Sequence, residues 1–155
     1  MTETSRILDQ LHRAYEGHAW HGPALRAVLA DVTYQTASRR PIPDAHTIWE
    51  LVLHIAVWIS VPTERLQGAE IPTLQSGQDW PAAPEPTEAG WQEALDHLAQ
   101  AQQKLESEVR KLTDDRLREI VLGDVPYPIY TMLHGVVQHM LYHAGQIALL
   151  KKACP

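Results

Sequence analysis

The sequence predicts an all-α protein, a four-helix bundle with a long proline-rich connection between its second and third helices. Two observations carry this. Apolar residues recur at helical spacing over four segments, and prolines gather between them. The length of 155 residues suits a single domain spanning 1–155, large enough to bury a real core.

The first helical segment runs from about Thr4 to Val32, with Ile7, Leu8, Leu11, Ala14 and Tyr15 on one face. Gly17 and the stretch Trp20-His21-Gly22-Pro23 kink or break it, and Pro23 suits the first turn of a resumed helix through Leu25, Val28 and Leu29. The second helix begins at Thr47, where Thr47-Ile48-Trp49-Glu50 fits a capping box, and is expected to stop near Ser60, before Pro62. It is apolar nearly all round and should be the most buried. Residues 61–86 hold Pro62, Pro72, Pro81, Pro84 and Pro86 and read as an irregular connection. In a bundle, such a crossover lets helices two and three run in the same direction. The third helix, about Thr87 to Leu112, shows a packing seam at Trp91, Leu95, Leu98, Gln102, Leu105, Val109 and Leu112, with Gln102 its one polar interruption. After a second connection ending in Val125-Pro126-Tyr127-Pro128, the fourth helix runs from about Thr131 to Lys152.

Several function classes are disfavoured by composition. Net charge is −6 with histidine neutral, and no Lys/Arg block exceeds two residues, so a nucleic-acid surface is not expected. The longest apolar runs are too short and too interrupted to cross a bilayer, and the N-terminus lacks a signal-peptide pattern, so a cytoplasmic protein is the expectation. The one cysteine, Cys154, can form no disulfide within the chain.

Chemistry is concentrated in the histidines. His139 and His143 stand four apart in an apolar helix, one turn from each other on the same face. With Val136 at zero on a helical wheel, His143 lies ~20° and His139 ~60° away, at the edge of the buried stripe, whereas His134 lies ~160° away. His54 interrupts the apolar run Leu51 to Trp58. Partly buried structural histidines are the plain alternative, but a buried imidazole without partners costs free energy, and one metal ion satisfies all three. Imidazole suits Zn²⁺, Ni²⁺, Cu²⁺ and Fe²⁺. The pair is not His-Glu-x-x-His, so the built-in base of zinc peptidases is missing, and three ligands leave a coordination position open.

Around these ligands, Glu50 lies one turn before His54 and can orient it or act as a base, in competition with its capping-box role. Gln146 follows His143 by three residues and is a candidate support or substrate contact. His21, in a turn of small residues, is a candidate for a pocket mouth, and Trp58 for a pocket wall. His12, His18, His46 and His97 read as surface residues.

The stretches Ile48 to Trp58 and Gly135 to Ile147, the latter containing His139-Met-Leu-Tyr-His143-Ala-Gly-Gln-Ile, resemble the DinB/YfiT-like metalloenzymes. Ala19-Trp20-His21-Gly22-Pro23 is similar to one branch of that family. The resemblance covers nearly the whole chain. It implies a four-helix bundle holding Zn²⁺ or Ni²⁺ on His54, His139 and His143, frequently as a homodimer. It also implies a transferase that activates a small thiol of the bacillithiol, mycothiol or glutathione type for attack on an electrophile. A metal-dependent hydrolase and a non-catalytic metal-binding stress-response protein are the alternatives. The electrophile is expected to enter at the bundle's end, between the first helix's kink and the proline-rich connection.

Overall fold

The computed structural model describes residues 1–154. Seven α-helices form in chain order: α1 (Glu3–Tyr15), α2 (Leu25–Leu29), α3 (Tyr34–Ser38), α4 (Ile48–Leu66), α5 (Ser76–Asp79), α6 (Glu88–Arg110) and α7 (Ile129–Ala153). A 3-10 turn at Asp114–Arg118 and a two-stranded hairpin, β1 (Ile120–Val121) and β2 (Tyr127–Pro128), lead into α7. The four long helices make the bundle: α4 packs on α6 and α7, and α1 packs on the same two from the other side.

Side chains at the helix ends fix the directions. Trp49 and Trp91, at the starts of α4 and α6, meet edge-on at 5.3 Å, and Gln67 past the end of α4 bonds Glu108 in the last turn of α6 at 3.1 Å. Those two helices therefore run parallel, as the long crossover requires. α1 runs against α6. Asp114, beyond the end of α6, accepts the N–H groups of Glu3 and Thr4 at 2.9 Å each, and so occupies donors that a helix N-terminus leaves free. The predicted seam on α6 forms. Its polar interruption, Gln102, is buried and uses its amide N–H to bond the Leu11 carbonyl of α1 at 3.3 Å and Glu106 at 3.0 Å.

Three boundaries differ from the sequence expectation. The first segment breaks after Tyr15, where Gly17 and His18 take positive φ values of 138° and 59°, and resumes as two short helices, α2 and α3. The second helix does not stop at Ser60; α4 continues to Leu66 with Pro62 inside it. Proline removes one helical N–H, yet Val61, Pro62, Thr63 and Leu66 are all buried, so packing outweighs local preference. The capping box at Thr47 forms as expected, the Thr47 hydroxyl accepting from the Glu50 N–H at 3.1 Å and Glu50 accepting from the Thr47 N–H at 2.7 Å. Lastly, the proline-rich connection is not wholly irregular: it carries α5, which ends at Asp79. Among the described residues no helix is long and apolar enough to cross a membrane.

Candidate metal centre

α4 delivers His54 and α7 delivers His139 and His143 to one point between the two helices. His54 and His143 are 5% and 4% exposed, and His139 is half-buried. The Nε2 atom of His139 lies 3.0 Å from Nε2 of His54 and 3.0 Å from Nε2 of His143. One nitrogen from each ring falls within 4.8 Å of the other two. Two nitrogens of a tetrahedral zinc site with bonds near ~2.0 Å stand about 3.3 Å apart, close to the two 3.0 Å separations that His139 makes.

The partners on the far side of each ring decide what the near side offers. His54 Nδ1 donates to the Asp79 carbonyl oxygen at 2.7 Å, with the Asp79 carboxylate 3.2 Å away. His143 Nδ1 donates to the Gln146 side-chain oxygen at 2.6 Å. In its neutral form each of these two rings therefore carries its proton on Nδ1 and presents a bare lone pair at Nε2. His139 Nε2 holds at most one proton and can satisfy only one of them. A buried point where lone pairs converge without enough donors is what a cation completes. Two of the rings, His139 and His143, are also kept neutral. Burial, aided by the neighbouring His143 and His54, pushes the His139 pKa down to about 3. Burial lowers His143 as well, against a smaller opposing effect of its bond to Gln146. The three histidines can thus hold a divalent metal ion, with the donor set leaving room for a further ligand.

The support around His54 comes from the crossover. Trp80, next to Asp79, stacks in parallel on His54 at 3.7 Å and on His46 at 3.5 Å. Two rings stacked so closely cannot share one face, so the indole is sandwiched between them. The Asp79 carboxylate also accepts the Trp58 indole N–H at 2.6 Å. Neither Asp79 nor Trp80 was expected from the sequence, because both lie in a segment without periodicity. His46, expected on the surface, is indeed half-exposed but is engaged through this stack.

The remaining expected site residues are placed as follows. Gln146 is at the centre, orienting His143. Glu50 faces away: its carboxylate closes the capping box and takes the Arg40 guanidinium at 2.8 Å and 3.0 Å, with His46 at 3.3 Å. Burial would raise its pKa, but the Thr47 N–H and Arg40 outweigh it and hold Glu50 below the ordinary carboxylate value. His21 is exposed in the turn between α1 and α2 and lines neither cavity that meets the histidines. His134 points elsewhere and packs on Tyr130.

One of those cavities, about 440 Å³, runs from His54 and His139 along the groove between α4 and α7. Trp58, Val61, Pro62, Met132 and Val136 make its walls apolar. Access is therefore beside the crossover and the β-hairpin, not at the kink after α1. A second cavity of about 430 Å³ lies beyond Trp80, against His143 and Gln146.

A family model for the DinB superfamily matches residues 18–147. A crystal structure of a conserved protein from Enterococcus faecalis superposes with a TM-score of 0.73 at 19% identity, over 99% of this chain and 97% of that one, and shows the same fold. No curated protein matches the chain.

Proposed function

The chain belongs to the DinB superfamily, and from that premise we propose that it is a divalent-metal-dependent enzyme, a transferase that activates a small thiol for attack on an electrophile. The observation that carries the reading is the convergence of three Nε2 atoms, two of them fixed as lone pairs, at the end of an apolar cavity. A divalent ion such as Zn²⁺ or Ni²⁺ bound there supplies positive charge that favours the deprotonated form of a ligating thiol, whose free pKa is about 8.5.

The chain's own residues do the rest. His54, His139 and His143 hold the ion. The Asp79 carbonyl and Gln146 lock two of the imidazoles, and Trp80 braces the His54 ring. Glu50 acts at a distance, by holding His46 against Trp80. The walls formed by Val61, Met132 and Val136 keep water away from the sulfur and admit an apolar electrophile. Hydrolysis is the weaker reading because water, unlike a thiolate, needs a group to carry its proton to the leaving atom. The one carboxylate lining the cavity, Asp79, is already held by Trp58 and set against His54.

The test is metal content per chain after purification without an affinity tag, beside His54→Ala and His139→Ala, followed by turnover with and without added thiol. We expect close to one metal per wild-type chain, lost in both variants, and turnover only with thiol. Absence of metal even after dialysis against Zn²⁺ or Ni²⁺ would overturn the reading. Metal-dependent turnover without thiol would move the protein to the hydrolases.

A further inference from the structure

The wall of the larger cavity does not end in apolar side chains. On α4, His54, Trp58, Val61 and Arg65 follow at intervals of four, three and four, with Pro62 beside Val61, and all five line it. The eleven residues from His54 to Arg65 bring the helix back to within about 20° of the same face, about 16 Å further along its axis. On α7, Met132, Gly135, Val136 and His139 form the facing stripe. Gly135 leaves that stripe open, since a Cβ placed there would meet nothing within 4 Å.

Arg65 is a cation whose hydrogen bonds go to neutral groups, and the acid that feels its charge, Asp124, is hydrogen-bonded to Thr73 instead. Arg65 Nη2 donates to the Ile71 carbonyl at 3.0 Å, its Nη1 donates to the Tyr127 hydroxyl, and its guanidinium lies 5.7 Å from the centre of the Tyr127 ring. Its Nε is buried and has no hydrogen-bond partner. All the acceptors it has are neutral. The two acids nearby are committed: Asp79 to Trp58 and His54, and Asp124 to the Thr73 N–H at 2.7 Å and the Thr73 hydroxyl. A guanidinium keeps its charge in any such setting, and a partly buried cation hydrogen-bonded only to neutral groups attracts an anion. Its planar fork, with the Tyr127 hydroxyl beside it, is matched to a carboxylate.

We propose that this cavity takes an elongated small molecule whose reacting end sits at the histidines and whose carboxylate sits at Arg65, making Arg65 the residue that selects acidic substrates. The proposal rests on the thiol-transferase reading for what happens at the histidine end. The groove sets the length of the molecule, and the apolar middle selects a chain without charge between its two ends.

The experiment uses protein loaded with Co²⁺, whose visible spectrum reports a sulfur ligand directly. Linear ω-mercaptocarboxylates of graded length are titrated beside the matching ω-mercaptoalcohols. We expect the acids to bind roughly tenfold tighter than the alcohols, with a clear optimum in chain length. The preference is expected to vanish in Arg65→Gln, to persist in part in Arg65→Lys, and the Co²⁺ spectrum without ligand to stay as in wild type. Gly135→Leu, which fills the groove without touching Arg65, should weaken acid and alcohol alike. Equal affinity for acid and alcohol in wild type, or a preference that survives Arg65→Gln, overturns the proposal while leaving the thiol reading intact. A second arm reads Arg65 without any thiol: alkyl carboxylates against alkyl alcohols, by thermal shift on the same protein. If no thiol alters the spectrum but carboxylates still stabilise wild type and not Arg65→Gln, the subsite stands and the thiol reading falls. If neither arm shows a carboxylate preference, the subsite falls.

Discussion

α4 presents two faces that solve opposite problems. Towards α6 it is closed: Trp49 meets Trp91 edge-on, both indoles are buried, and the Trp91 N–H bonds the Val32 carbonyl at 2.8 Å, although the buried Trp49 N–H has no hydrogen-bond partner. Towards α7 it is open, with His54, Trp58 and Arg65 along a cavity and ring nitrogens that lack donors. The first face carries stability and the second the candidate metal site. One helix can do both because its parallel partner α6 and its antiparallel partner α7 contact different stripes of it.

Three changes break or sharpen that contrast. Trp91→Ala strikes the closed face and should cost about 3–5 kcal/mol in denaturant unfolding, while the fraction that remains folded still binds one metal. Loss of metal binding from the folded variant would mean the two faces are coupled. Asp79→Asn strikes the support of the open face. Loss of such partners typically costs 10–100-fold in metal affinity, and about tenfold is expected here, because the backbone carbonyl that takes the His54 proton at 2.7 Å remains. Unfolding of the metal-free protein should barely change, and an equal loss in both measurements would count against a role in orienting His54.

The smallest effect is in pH. The folded His139 pKa of about 3 lies below the ordinary histidine value of 6.5, so between those values the unfolded chain binds the proton that the folded one refuses. Stability of the metal-free protein is then fully present above pH ~6.5 and declines as pH falls towards ~3. The slope stays below the ~1.4 kcal/mol per pH unit of one fully differential proton, since the ring is partly solvated. His139→Gln should flatten it, and a slope unchanged in that variant would assign the titration elsewhere.

How much of this was legible in the sequence follows from where periodicity exists. The three histidines were legible because each interrupts an apolar helical pattern, and the wheel correctly left His134 out. Asp79 and Trp80 were not, since no repeat marks them and only the fold brings residue 79 against residue 54. Arg65 was hidden by one boundary. Ending the second helix at Ser60, on account of Pro62, removed the frame in which residue 65 falls in line with residue 54. Burial of the turn that contains Pro62 is a tertiary fact, and local rules cannot supply it.

The parallel run of α4 and α6 has a consequence for how such a protein can be altered. The chain must return along a helix of about 28 Å, and the residues between Leu66 and Glu88, about twenty of them, can reach more than twice that distance when extended. The surplus is what dips to the histidines and forms the groove's rim. The bundle needs only that the span be covered, so the composition and length of this strap are free to vary around Asp79 and Trp80. A library of replacement straps, grafted onto an unchanged bundle, would explore new substrates without renegotiating the fold.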